Sequence, residues 1–141
     1  MSIAVFLLPK SDLNERIVYW KNRVQNSLIN QPYTNHPPHL TILNVKTINN
    51  NQCLDIISNI SSKIKPFKIK AYRTNVFWND NLTGGHTLFF EIKKNNNLLN
   101  LQISIAKEIS KMKESIPPPK NLRNNNIFLE SYNKYGFPFV G

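Results

Sequence analysis

The sequence predicts an α+β domain. Apolar runs of strand length alternate with stretches of helical period, and two strand-like runs next to each other are separated by turn residues, as in a hairpin. The joins are short clusters of Pro, Gly and Asn. The order reads β-α-β-α-β-β-α with a last element at the C-terminal end. Helices packed on a sheet are the expected arrangement, in an α+β or α/β pattern. No composition shift marks a linker, so residues 1–141 read as one domain.

Residues 3–8 are continuously apolar and end at Pro9, which predicts a buried strand. Ser11 or Asp12 is placed to cap a following helix, with Glu15 near its positive end. Leu13, Ile17, Trp20, Val24 and Leu28 recur at helical spacing, so residues 12–29 form an amphipathic helix that Pro32 closes. Pro37-Pro38 forces an extended entry to a strand over residues 39–43. A second helix spans residues 51–64, with Leu54, Ile57, Ile60 and Ile64 on its buried face and Pro66 as its stop. Residues 67–73 alternate apolar and basic side chains as a half-exposed strand does, and that strand is able to run on through Trp78. Asn79-Asp80-Asn81 and Gly84-Gly85 supply turn chemistry before a strand over residues 87–93. A third helix covers residues 97–113, with Leu98, Leu101, Ile105 and Ile109 on one face. The proline run 117–119 opens a loop. Ile127-Phe128-Leu129 and an aromatic segment, 132–141, follow; it reads as a loop leading into a strand.

The chain of 141 residues carries 18 Lys and Arg against 8 Asp and Glu, a formal net charge of +10, with a pI near 9.9. Such a surface favours polyanionic partners, although a solvated lysine surface explains it almost as well. The basic residues are scattered along the sequence without a compact run. The single cysteine, Cys53, allows no internal disulfide and no thiolate cluster, and in an apolar stretch it reads as a packed small side chain. The apolar start lacks a basic region and is too short for a signal peptide or a membrane span. A cytoplasmic protein with no membrane partner is expected. Three asparagine triplets, at 49–51, 95–97 and 124–126, fall where connections are expected.

The segment that bears chemistry is Asn35-His36-Pro37-Pro38-His39-Leu40-Thr41-Ile42-Leu43. On a strand, positions 39 and 41 share a face, so an imidazole and a hydroxyl stand side by side. Histidine moves a proton near neutral pH, and a threonine hydroxyl is able to hold a phosphate oxygen. Pro37-Pro38 stiffens the approach to His39. The alternative is a polar strand end with its histidine in solvent.

Pro38-His39-Leu40-Thr41-Ile42-Leu43 resembles the first signature of the 2H phosphoesterase superfamily, the 2′-5′ RNA ligase-like or cyclic phosphodiesterase-like proteins. These proteins carry two His-x-Thr/Ser motifs on two pseudo-symmetric lobes. The resemblance spans nearly the whole chain: the opening strand and helix, the His-x-Thr strand, the helix after it and Thr87-Leu88-Phe89-Phe90-Glu91-Ile92 with Leu98 and Leu101 keep the family's order. Tyr135-Gly136-Phe137-Pro138-Phe139-Val140-Gly141 looks like the approach to the second motif. The resemblance implies a two-lobed sheet with helices on its outer faces. It implies a metal-independent phosphodiesterase acting on 2′,3′-cyclic phosphate or 2′-5′-linked nucleotide or RNA, with His39 as acid or base and Thr41 as phosphate ligand.

The departure is that no second His-x-Thr or His-x-Ser exists within these 141 residues. The resemblance therefore implies a C-terminally incomplete domain, a degenerate site, or two chains that complete each other. A non-catalytic RNA or nucleotide binder with a degenerate site is the alternative function. No cofactor is expected, and three His, one Cys and no paired acidic motif make a poor metal site.

The lesser substrate-binding candidates are His86, Tyr135 and Phe137. His86 is followed directly by Thr87 and sits too early in the family's order for the second motif. It reads either as a stand-in second histidine or, more simply, as a turn residue after Gly84-Gly85. Tyr132, Tyr135, Phe137 and Phe139 either stack on a base or pack inward. Lys68, Lys70 and Arg73 either contact phosphates or form a solvated strand face. His36 reads as a loop residue before the prolines.

Overall fold

A computed structural model describes residues 2–28, 31–80 and 84–137. The fold is mixed α+β, with four α-helices and two small antiparallel sheets among the described residues. The elements are β1 (Ser2–Leu7), α1 (Ser11–Ser27), β2 (Leu40–Lys46), α2 (Asn50–Ser62), β3 (Ala71–Asp80), β4 (Gly85–Ile92), α3 (Asn96–Ile109) and α4 (Asn126–Tyr135). Short 3₁₀ turns sit at Ser110–Met112 and Lys120–Leu122. β1 pairs with β2, and β3 pairs with β4. The chain divides into two compact units, a smaller one over Val5–Ile42 and a larger one comprising Met1–Ala4 and Leu43–Gly141.

In the larger unit the core is carried by α3. Leu101, Ile105 and Ile109 recur every four residues and are buried, with Gln102 and Ala106 beside them. α2 packs on α3 and buries Cys53 completely. Sequence periodicity put Leu54 on that face, but Leu54 is 56% exposed. The inward stripe runs through 53, 56–57, 60 and 64 instead, and Leu54 lies about 100° around the helix from Cys53. Cys53 points its thiol at the Met112 sulfur, 3.9 Å away, so it behaves as a core side chain.

The end of β2 is fixed to the segment after α3. Ile48 N–H donates to the Met112 carbonyl at 3.0 Å, Glu114 N–H donates to Lys46 at 2.9 Å, and Thr47 bridges to Lys113. Lys113 also donates from Nζ to the carbonyl of Asn133 in the last turn of α4. Burial lowers the pKa of Lys113.

α4 replaces the expected aromatic loop and strand. Asn125 caps its start, accepting from Phe128 N–H at 3.1 Å. Ser131 and Tyr135, four residues apart, are its buried positions. Gly136 ends it in the left-handed region, φ +83, with its N–H on the Tyr132 carbonyl at 2.8 Å. A Cβ at Gly136 would lie 1.6 Å from the carbonyl oxygen of Asn44. Only glycine lets the end of α4 approach the β2 backbone this closely. Residues 138–141 of the expected approach to a second motif lie outside the described residues.

The asparagine triplets have one structural meaning. Asn49 accepts from Gln52 N–H at 3.1 Å, and Asn95 accepts from Leu98 N–H at 3.0 Å. With Asn125, every triplet places one residue as the N-cap of a helix of the larger unit.

β3 and β4 form a hairpin whose register shifts between Ala71 and Arg73 and again between Phe77 and Asp80. The first bulge turns Tyr72 to the same side as Arg73. There Glu91 accepts from Tyr72 Oη at 2.5 Å, from Arg73 at 2.7 and 3.1 Å and from Asn75 at 2.6 Å. Arg73 first, then Tyr72 and Asn75, lower the Glu91 pKa from 4.5 to about 2. The strand expected from residue 67 begins at Ala71. The stretch before it is tied across the base of the hairpin by Lys93 N–H to the Lys70 carbonyl, 2.8 Å.

The smaller unit is built differently. α1 starts at Lys10 without a side-chain cap, so neither Ser11 nor Asp12 takes the expected role. Ser11 has φ 54, incompatible with the extended backbone an N-cap needs. α1 buries no residue fully; Leu13, Ile17 and Val24 are half-buried, and Trp20 is 41% exposed. Its expected last residue, Ile29, lies outside the described residues. β1 was expected to be buried throughout, yet exposure alternates along the strand, and its one buried residue, Ile3, belongs to the larger unit.

Candidate functional site

His39 stands one residue before β2, and Thr41 is the second residue of that strand. Their alternation in an extended chain puts the two side chains on one side, with Cα atoms roughly 7 Å apart. His39 is exposed and Thr41 half-buried. Two neighbours hold the His39 ring. Its Nδ1 lies 2.8 Å from the Pro37 carbonyl oxygen. A carbonyl only accepts, so Nδ1 donates, and in the neutral ring the lone pair is left on Nε2. The Phe6 ring of β1 lies against it at 4.4 Å between centroids, tilted by 55°. The Thr41 hydroxyl makes no hydrogen bond among the described residues.

The approach to His39 is fastened to α1. Lys21 donates from Nζ to the carbonyls of Tyr33, at 3.1 Å, and of His36. Burial lowers the Lys21 pKa. Within the loop, His36 N–H donates to the Tyr33 carbonyl at 3.2 Å, and the His36 and Tyr33 rings meet edge to face at 5.4 Å. His36 is thus a loop residue. Pro37 and Pro38, which lack backbone N–H groups, complete a stiff lead-in.

Phe6, the Pro37 carbonyl and Lys21 were not singled out in the sequence. The apolar 3–8 run made Phe6 findable only as a strand residue. Nothing local signals Lys21, which acts across 12 and 15 residues.

The other sequence candidates lie in the larger unit. His86 sits on β4 opposite the second bulge. Its Nδ1 accepts the backbone N–H of Asn79 at 3.0 Å, so its proton is on Nε2, the reverse of His39. Its ring meets Trp78 edge to face at 4.9 Å. Tyr135 is 5% exposed, with the Lys134 ammonium 5.1 Å from its ring and the Phe137 ring 6.4 Å away. Its faces are covered in this arrangement, which matches the packed-inward alternative. Phe137 is half-buried, and its carbonyl accepts from the Ser131 hydroxyl at 2.9 Å.

Among the described residues, no group of three or more His, Cys, Asp or Glu is placed to hold a metal ion. Among the same residues, no helix is long and apolar enough to cross a membrane. No protein-family model, curated protein or solved structure matches the chain.

Proposed function

We propose that this chain is a 2H-like, metal-independent phosphodiesterase acting in the cytoplasm on 2′,3′-cyclic phosphate or 2′-5′-linked nucleotide or RNA substrates. The observation that carries the reading is the fixed tautomer of His39. With Nδ1 committed to the Pro37 carbonyl, Nε2 faces the reaction with a lone pair in the neutral ring and a proton in the charged one. It either takes the proton of the attacking hydroxyl or gives one to the leaving oxygen. Thr41, one strand alternation away, donates its hydroxyl to a non-bridging phosphate oxygen and stabilises charge that builds there. The fold class, mixed α+β, is compatible with the two-lobed 2H arrangement. The reading requires a second proton carrier besides His39.

The test is turnover of 2′,3′-cyclic nucleotides and 2′-5′ oligonucleotides with EDTA present, for the chain, His39→Ala and Thr41→Ala. The expected result is turnover that falls by roughly 10²–10⁴-fold in His39→Ala and by a smaller factor in Thr41→Ala. Turnover that His39→Ala leaves unchanged would sink the reading. The second reading, a non-catalytic RNA or nucleotide binder, is favoured by the lone His-x-Thr in these 141 residues. It predicts binding without turnover.

A further inference from the structure

We propose that the β3–β4 hairpin of the larger unit is a docking surface for single-stranded nucleic acid, with phosphates held at its base and a base stacked near its tip. This is a surface in its own right and does not depend on chemistry at His39.

The lysines that look scattered in the sequence converge here. Lys68 and Lys70 are the exposed members of an alternating stretch, between half-buried Phe67, Ile69 and Ala71. Lys93 follows β4 directly, and its N–H on the Lys70 carbonyl, 2.8 Å, brings the two chain segments together. Asn95 adds a second tie, donating from Nδ2 to the Lys68 carbonyl at 2.8 Å. Lys94 lies between these two ties. All four lysines are exposed, and residues 65–94 hold six Lys and Arg against two acids.

Neither acid is free to neutralise the cluster. Glu91 is engaged by Arg73, Tyr72 and Asn75, and Asp80 is 6% exposed and accepts the Thr87 hydroxyl at 2.7 Å. An open concentration of ammonium groups draws a polyanion and releases its counterions. Toward the other end of the ribbon, roughly 25 Å along the strand, Trp78 is 71% exposed, with His86 edge-on to it. A cationic patch that tracks a backbone and an exposed indole farther along the same ribbon are the two parts that single-strand binders combine, over roughly 4–16 nucleotides. An acidic protein would use the lysines and leave Trp78 without a stacking partner. The aromatic and the lysines on one ribbon therefore select single-stranded nucleic acid.

The experiment is fluorescence anisotropy with labelled oligouridine and oligodeoxythymidine, titrated over a range of salt. The chain is compared with a quadruple Lys→Gln variant at 68, 70, 93 and 94, with Trp78→Ala, and with a control quadruple Lys→Gln variant at 107, 111, 120 and 134. Thermal melts check that each is folded. The base-of-hairpin variant is expected to bind more weakly and with a shallower salt dependence, lowered by up to about 0.7 per lost phosphate contact. Trp78→Ala should lose between roughly fivefold and 150-fold at unchanged salt slope. The control variant has lost the same charge, so it separates a site from a general field. Failure of the chain to bind either oligomer at low salt would overturn the proposal. So would equal losses in the two quadruple variants, or anionic vesicles competing the oligomer away while Trp78→Ala binds normally.

Discussion

In the larger unit α2, α3 and α4 each begin on an asparagine that accepts a backbone N–H; in the smaller unit α1 begins on Lys10 with no side-chain cap. The larger unit holds Leu43, Leu101, Ile105, Ile109 and Leu122 at 7% exposure or less, whereas α1 buries no residue. Yet the candidate chemistry, His39 and Thr41, lies in the smaller unit. The difference teaches how the labour is divided. A proton carrier has to be reached by substrate, so its surroundings cannot be closed over by a core. Order at His39 comes instead from short-range devices: two prolines, one carbonyl acceptor, one ring and a lysine fastening the loop to α1.

The largest expected effect breaks the larger unit where backbone meets backbone. Gly136→Ala sets a Cβ 1.6 Å from the Asn44 carbonyl oxygen, at a φ of +83. Neither atom belongs to a flexible side chain, so α4 must leave β2. A loss on the order of 3 kcal/mol or more is expected in urea unfolding. A loss below about 1 kcal/mol would mean that α4 is not docked there.

The next effect measures the contrast in burial directly. Ile105 is 1% exposed, and Ile105→Ala should cost about 2–5 kcal/mol. Ile17 of α1 is half-buried, and Ile17→Ala should cost roughly 1 kcal/mol. Equal costs for the two would erase the distinction between the units.

Capping gives a smaller and sharper contrast. Asn95 accepts from Leu98 N–H and also donates to the Lys68 carbonyl, whereas Asn49 and Asn125 make a cap bond alone among the described residues. Asn95→Ala should therefore cost the most of the three, toward the upper end of the usual 0.5–2 kcal/mol. Asn95→Asp keeps the acceptor and loses the donor, so it isolates the second bond. Ser11→Ala removes no cap and should change stability by less than about 0.5 kcal/mol.

These positions also show what was legible beforehand. The α3 stripe at 101, 105 and 109 was readable because it repeats every four residues. The His-x-Thr pair was readable because strand alternation alone puts 39 and 41 on one side. α4 was missed although its signals were present: Asn125 before it, Gly136 after it, and 131 and 135 at helical spacing. Its dense aromatics have high strand propensity, and that local preference gave way to capping and to docking on β2. The lysine cluster was legible only in half: Lys68 and Lys70 were candidates for phosphate contact, with a solvated strand face as the alternative, but residues 93–94 join them only through the pairing of the hairpin's base. The carbonyl that sets the His39 tautomer was hidden for a related reason: proline was read for its stiffness and not for its oxygen.

The smallest effect concerns the hairpin, whose strands are joined by a charged network in place of a core. Glu91 titrates at about 2 in the fold and 4.5 without its partners. Its folded pKa is the lower one, so the unfolded chain takes up the proton first as pH falls. The contribution of Glu91 is fully present above about 4.5 and is lost progressively down to about 2. Because the pair is exposed and screened by salt, the effect should be modest and should shrink as salt is added. Melting temperature followed from pH 6 to pH 2 should fall through that window, and Glu91→Gln should flatten the fall. If Glu91→Gln keeps the full slope, another carboxylate carries the acid sensitivity. The Arg73–Glu91 network would then do no more than orient the hairpin, leaving its stability to the backbone ladder and the Phe77–Phe89 stack, whose centroids lie 4.0 Å apart.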